Sequence, residues 1–397
     1  MNVIVLDVHH PEDSRVNRHI KYVQSLDYNV IHINVNRYFS FLKPGIFSKY
    51  GELGYRITAG NHSQSLINRL LLLILFITPI IAIRIKNILN SLRLEFNENT
   101  IIHIHDYELL FTGFYLHYFF PAKVRIVYDR HELYETYKGK NKIFDKIPRI
   151  YERINSIWID GIIGVSEDHL GSLKSLFKFS PITIVPNYSD ACGYPLAELE
   201  KKISSMKKNK LKMIYFGSLD VTLDRDIYLI LKVMDNVLQE KISSEAYIGG
   251  ICSNSKLLSL LSAMTEKYPG RFHFIGYVPY NEVLSLSSQA TIGFLCMKPE
   301  YWVLVSANKI YEYLHYGLIP VIKANIENHE IISQCSLIFS KSEKDETVIA
   351  TVCNLIRNKE RMKQMMLDSY EIGKQYTFDN VKIRYQSLYL DLFHNLK

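Results

Sequence analysis

The sequence predicts an α/β protein of two Rossmann-like, doubly wound domains facing a cleft. Three observations carry that expectation. The chain has 397 residues, more than one ordinary core serves, so two domains are the default. Short β-branched runs alternate with helical patterns almost throughout, the β-α-β rhythm of parallel sheets covered on both faces. The rhythm breaks once, at the polar, lysine-rich stretch "NYSDACGYPLAELEKKISSMKKNK" over 187–210.

In the first half the strand candidates are 2–8, 29–35, 100–105, 124–129, 161–166 and 182–186. Between the first two, Val16, Ile20 and Val23 recur at helical spacing, with Ser14 as the candidate cap. The second half repeats the pattern at 211–217, 245–250, 271–278, 290–297, 318–322 and 336–340, with a helical pattern over 226–238. These runs divide the chain into a first domain at 1–190, a linker at 191–210 and a second domain at 211–376. A C-terminal helix over 377–397 is expected to return to the first domain. Ligands of doubly wound sheets bind beyond the carboxyl ends of the strands. The chemistry should therefore lie in loops that directly follow strands.

Composition narrows the class. Hydrophobic residues make up 48% and charged residues 22%, the balance of a globular chain. Five cysteines show no disulfide or metal spacing, which suits a reducing cytosol. A formal charge of +7 favours anionic partners. The start "MNVIVLDVHH" meets Asp7 too early for a signal peptide and reads as a buried strand. The apolar run from Leu70 to Ile83 spans roughly 21 Å as a helix, short of the ~30 Å hydrocarbon core. Pro79 bends it, and Arg69, Arg84 and Lys86 flank it. It reads either as a helix in a membrane interface with cations on lipid phosphates, or as a helix buried against the sheet.

Several strand ends carry candidate chemistry. "YFGSLDVTLDRDI" places Gly217 and Ser218 at a strand end, ahead of a helix start that can take an anion. Arg225 adds a planar cation suited to a diphosphate, or is a solvated arginine in an ordinary turn. "SANKIYEYLHYGLIPVI" offers Ser306 as a cap, an apolar stripe of Ile310, Tyr313 and Leu314, and Gly317 as the helix end. Glu312 lies off that stripe. It can accept hydrogen bonds from a vicinal diol such as ribose, or it is a solvated surface acid. Asn308 and Lys309 stand at the same helix start. In the first half, "VYDRHELYE" sets Asp129, Arg130, His131 and Glu132 at a strand end. "HIHDYE" does the same with His105 and Asp106, and the first loop supplies His9, His10, Asp13 and Arg15. Metal binding is the obvious rival for the histidines. No pair has the i, i+4 spacing of a helical zinc site, so no metal is expected.

Taken together, "NKIYEYLHYGLIPVI", "FIGYVPYNEVLSLSSQATIGFLCM", "VYDRHEL", "GVSE" and "IVPN" resemble the retaining nucleotide-sugar glycosyltransferases of the GT-B fold, glycosyltransferase family 4. "HHPEDSRVNRHIKYVQSL" resembles the first loop and helix of members that build surface polysaccharides, including lipopolysaccharide and O-antigen. The resemblance covers nearly the whole chain. It implies that Glu312 binds the ribose of the donor nucleotide, and that Arg225 and Gly217 serve its diphosphate. It implies that His131 contacts the donor sugar beside the reacting carbon, and that Asn187 lies in the hinge. Three positions depart from the family. Leu304 stands where a second glutamate is usual, Ser218 replaces an arginine, and "HHPEDSR" replaces a glycine-rich loop.

The function so implied is a retaining transfer of a sugar from a nucleoside diphosphate donor, uridine favoured over guanosine, to a lipid-linked or polysaccharide acceptor. The expected catalytic residues are His131, Asp106 and Arg225. The expected donor-binding residues are Gly217, Ser218, Arg225, Asn308, Lys309, Ile310 and Glu312. A front-face displacement, with a donor phosphate oxygen taking the acceptor proton, needs no metal and no cofactor beyond the donor substrate. His131 is expected to act as a neutral imidazole, with activity falling as pH drops through the ordinary histidine range near 6.5. The expected location is cytoplasmic and peripheral on the inner face of the membrane, through Leu70–Ile83, with no nucleic-acid partner. Two alternatives remain: a non-catalytic scaffold of the same fold, favoured by Leu304, and a nucleotide-sugar 2-epimerase.

Overall fold

The structure, a computed structural model, describes residues 1–36, 42–59, 66–92, 99–120, 124–132, 134, 146–190, 193–207, 211–240 and 243–394. The chain forms two compact units, Met1–Pro186 together with Val381–Lys397, and Asn187–Asn380.

The first unit holds β1 (Asn2–Asp7), β2 (Asn29–Asn36), β3 (Gly45–Phe47), β4 (Leu53–Thr58), β5 (Thr100–His105), β6 (Arg125–Arg130), β7 (Gly161–Gly164) and β8 (Ile182–Ile184). They form one sheet in the order β3-β4-β2-β1-β5-β6-β7-β8. Every pairing is parallel except β3 with β4. The sheet grows outward in both directions from β1 and β5. The loops after these two strands therefore diverge and leave a crevice at a switch point. Val3 to Leu6 are fully buried, as a strand covered on both faces requires. β3 and β4 carry no sustained apolar run, so the sequence gives them no signal.

The helices are α1 (Ser14–Gln24), α2 (Leu66–Ile77), α3 (Ile80–Ser91), α4 (Leu110–Phe119), α5 (Ile147–Asn155) and α6 (Leu170–Leu176). Asp13, not Ser14, caps α1. Its extended backbone lets its carboxylate accept from Val16 N–H at 3.0 Å, and Ser14 becomes the first helical residue. The run Leu70–Ile83 is not one helix. Pro79 breaks it into α2 and α3, whose axes bend by 55°. Each alternative describes one face of the pair. Phe76, Ile81, Ala82, Ile85 and Leu89 enter the core, while Leu70, Leu71, Ile74, Ile77, Ile80 and Ile83 are exposed. No single described helix is long and apolar enough to cross a membrane. The C-terminal helix Ile383–His394 packs in this unit, burying Tyr385, Leu388, Tyr389 and Leu392.

The second unit comprises α7 (Leu196–Lys207), β9 (Leu211–Phe216), α8 (Ile227–Gln239), β10 (Ser244–Gly249), α9 (Ser255–Lys267), β11 (Phe272–Phe274), α10 (Tyr280–Gln289), β12 (Ile292–Cys296), β13 (Leu304–Val305), α11 (Asn308–His315), β14 (Ile319–Lys323), β15 (Asn325–Ile326), α12 (His329–Ile332), β16 (Leu337–Ile338), α13 (Asp345–Arg357) and α14 (Lys359–Gly373). Its main sheet runs β11-β10-β9-β12-β14-β16, all parallel, with the switch between β9 and β12. The expected linker at 191–210 is largely the helix α7. Its Leu199, Ile203 and Met206 are buried in the unit's core, an apolar stripe hidden among lysines in the sequence. Residues 191, 192 and 208–210 of that stretch lie outside the described residues.

Candidate active site

In the first unit three strand ends meet. β1 ends in Asp7, whose carboxylate accepts from the His9 amide at 2.7 Å and from Asn34 at 3.0 Å, and is also bonded to His32. These bonds fix the loop that carries His9. β5 ends in His105, and Asp106 follows with φ +73°, a conformation costly for a non-glycine residue. It is held there because its carboxylate accepts from Tyr107 N–H at 3.0 Å and from the Tyr134 hydroxyl. β6 places His131 one residue past its end.

The three groups form a compact set. His9 and His131 stack with ring centroids 4.6 Å apart, and His9 Nε2 lies 3.7 Å from Asp106 Oδ2. Burial alone would lower the pKa of His9, but Asp106, Asp13 and Asp7 outweigh it and raise it to about 10. His131 goes the other way: burial, then the charge on His9, lower it to about 4. At neutral pH the pair is thus a histidine cation stacked on a neutral imidazole. The expected fall in activity near pH 6.5 is corrected accordingly, since His131 stays neutral well below that value.

Behind His131 runs a buried chain of rings. Its Nε2 is 3.0 Å from His105 Nδ1, and His105 Nε2 is 3.0 Å from His19 Nδ1. His19 Nε2 and His103 Nδ1 each lie 2.7 Å from the Tyr389 hydroxyl. Asp129, which the sequence places beside His131, turns inward. It is held by Arg15 at 2.6 Å and by Tyr385 at 3.3 Å. Arg130 also turns inward and is fully buried against Glu152.

Metal spacing reads differently across strands than along a helix. His9, Asp106 and His131 bring ligand atoms within 4.8 Å of one another, as do His19, His103 and His105, and His105, Asp129 and His131. Both ring nitrogens of His105 and of His19 are engaged in the hydrogen-bonded chain. In the first set His9 would have to give up the proton that Asp106 holds on it.

In the second unit the candidates gather beyond β9 and β12. Gly217 ends β9 with φ +157°, and a Cβ there would lie 2.6 Å from Lys309 Nζ. A Cβ on Gly250, at the end of neighbouring β10, would lie 1.9 Å from Gly217 O. Bare backbone at Gly217 lets Lys309 lie against the sheet, and bare backbone at Gly250 lets the two strand ends approach. Its ammonium stands 5.5 Å from the Tyr215 ring centroid. Burial and the charge of Arg225 push the Lys309 pKa down to about 8. The loop carrying Arg225 is fastened to β12 by Asp226 N–H to Cys296 O at 2.9 Å and by the bridge between Arg225 and Met297. Arg225 itself pairs with Asp224 at 2.6 Å. Ser218 is exposed; its hydroxyl accepts from Asp220 N–H, and its carbonyl accepts from the Tyr215 hydroxyl at 3.0 Å.

Glu312 is not a solvated acid. It is only 6% exposed and accepts from the Tyr280 hydroxyl at 2.9 Å. Tyr280, which follows the "FIGYVP" segment, is a site residue the sequence did not single out. α11 is buried on every side from Ile310 to His315, so the apolar stripe expected on it understates its burial. Ile310 is a core residue at 2% exposure, and its amide donates to Ala307 O, so neither its side chain nor its N–H faces a ligand. Ala307, not Ser306, holds the cap position. The Ser306 hydroxyl is buried with no partner among the described residues. Asn308 opens the helix beside Lys309, and Leu304 pairs with Asn325 in β13–β15.

No family model and no curated protein matches the chain. Solved structures do. A sucrose-phosphate synthase from Thermosynechococcus elongatus is similar over 100% of both chains, with a TM-score of 0.74 at 13% identity. A structure described as "Trehalose-6-phosphate from E. coli bound with UDP-2-fluoro glucose" is similar over 99% of both chains, with a TM-score of 0.65 at 12% identity. Anabaena HepE in complex with UDP and glucose is similar over 98% of both chains, with a TM-score of 0.67 at 11% identity. At these identities what is shared is the architecture: the chain has the GT-B fold.

Proposed function

We propose that the protein is a retaining glycosyltransferase that takes a sugar from a nucleoside diphosphate donor, with uridine as the favoured base. The observation that carries this reading is the buried Glu312 carboxylate, held by Tyr280, in the same strand-end group as Lys309 and Arg225. A carboxylate so placed accepts hydrogen bonds from a ribose diol. The two cations neutralise the diphosphate and the charge it gains on leaving, so no metal is required by this route. The UDP and UDP-sugar named with two of the similar structures support uridine.

In the first unit, neutral His131 backed by Asp106 and His9 is suited to orient a sugar hydroxyl at the reacting carbon. The acceptor we favour is a lipid-linked saccharide in surface-polysaccharide synthesis, as in family 4. The enzyme would work at the cytoplasmic face of the membrane, with the exposed apolar side of α2 and α3 in the interface.

The test is nucleoside diphosphate release from labelled UDP- and GDP-sugars with lipid-linked and soluble acceptors. Donor binding without release under any condition would favour the scaffold that Leu304 keeps open.

A further inference from the structure

We propose that a second, basic site on the first unit binds the phosphates of an anionic lipid bilayer. It is a concave surface of about 650 Å³ between α5 and α6, lined by Lys146, Arg149, Arg153, Lys178, Ser172 and Ser175. No acid lines it. Glu152, on the same helix, turns inward and is consumed by Arg130 and by the Tyr128 hydroxyl. None of the four cations has an ion-pair partner among the described residues.

The outer face of α5 shows why an anion belongs there. Arg149 and Arg153 stand four residues apart, and so do Ile150 and Ile154, giving one cationic and one apolar stripe side by side. Like charges at this spacing weaken a helix, and a phosphate between them reverses the sign of that interaction.

The apolar neighbours select the source of the phosphate. Ile150 and Ile154 are exposed, Ile157 is 86% exposed, and Phe179, on the turn after α6, is 95% exposed. A soluble polyanion has no use for them, whereas a bilayer surface takes phosphate contacts and apolar insertion together. The surface continues toward α2 and α3. The Trp158 ring lies 5.7 Å from Phe114 on α4, and α4 packs against α2, α3 and α5 while Tyr118 on it is exposed. The basic site thus supplies the electrostatic half of an attachment whose apolar half is the α2–α3 face. It rests on the membrane-associated reading above.

The experiment is co-sedimentation of the full chain with phosphatidylcholine vesicles and with vesicles that also contain phosphatidylglycerol, at low and high salt. Three variants are compared: Arg149→Ala with Arg153→Ala, Lys146→Ala with Lys178→Ala, and Leu71→Ser with Ile74→Ser. Melting temperatures confirm that each folds. The parent should bind the anionic vesicles, and each cation pair removed should weaken that binding roughly thirty-fold. UDP release with a soluble acceptor should not change. If both cation variants sediment like the parent, the basic site is overturned, even where the Leu71/Ile74 variant loses binding and the membrane reading stands. A parent that ignores anionic vesicles yet binds inorganic polyphosphate also overturns it. A parent that ignores both vesicle types but still releases UDP overturns the lipid site and leaves the transferase reading intact.

Discussion

The two switch points of this molecule are built in opposite ways. Beyond β1, β5 and β6 the first unit fills its strand ends with titrating side chains that bond one another, from His9 and Asp106 inward to Tyr389. Beyond β9 and β10 the second unit empties its strand ends: Gly217 and Gly250 carry no side chain, and a single ammonium lies over the bare backbone. The first arrangement holds a proton distribution fixed before any ligand arrives. The second holds a half-buried ammonium whose charge an anion would stabilise. On the function proposed above, the difference assigns geometry to one unit and affinity to the other.

Five measurements sharpen or break that division. The largest effect is expected at His131. His131→Ala should lower kcat by about 10²-fold or more, the usual scale for a positioned group. The nucleotide Kd should stay within a few-fold. A matched loss in Kd would put affinity in the first unit and erase the contrast. Glu312→Gln should do the reverse, weakening donor binding by about one to two decades, the worth of roughly 1.5–3 kcal/mol in charge-assisted hydrogen bonds. Titration calorimetry with UDP reads this directly, and an unchanged Kd would remove Glu312 from the site.

The pH dependence should divide in the same way. On the acid side turnover should hold through pH 6.5 and fall only toward pH 4, as His131 gains a proton. On the alkaline side donor affinity should weaken above about pH 8, as Lys309 loses its charge. Lys309→Arg should carry that limb upward. Stability adds a signed check. Between about pH 4 and 6.5 the unfolded chain holds a proton at His131 that the folded chain lacks, so stability rises with pH there. From 6.5 to about 10 the folded chain holds one at His9 that the unfolded chain lacks, so that contribution is lost as pH rises. The smallest effect is expected at Ser306. Ser306→Ala removes a buried hydroxyl with no partner and should change stability by under about 1 kcal/mol, in the stabilising direction. A marked loss in donor affinity instead would give that hydroxyl a ligand.

The sheets were legible because buried parallel strands are written as unbroken apolar runs, and Thr100–His105 matches its expected span. β3 and β4 were not, since an edge hairpin needs no such run. α7 looked like a linker because its charged and polar residues outnumber the Leu199–Ile203–Met206 stripe. At the strand ends the titrating residues could be named, but not their partners. Asp129 and His131 are two residues apart in sequence, yet one is locked inward on Arg15 and the other stacks on His9. That sorting depends on residues more than a hundred positions away, which no local pattern encodes.

The C-terminal helix has a consequence for biosynthesis. Tyr385 and Tyr389 complete the surroundings of Asp129, His19 and His103, and they follow the whole of the second unit in the chain. A ribosome releases them only after the whole of the second unit. The second unit, continuous from Asn187 to Asn380, can close on the nascent chain, while the first must wait with two buried histidines, His19 and His103, short of their hydroxyl. Translation stopped just before Val381 would therefore yield a second unit able to close, joined to a first unit with an unsealed interior. Such a product should engage chaperones through its N-terminal part alone.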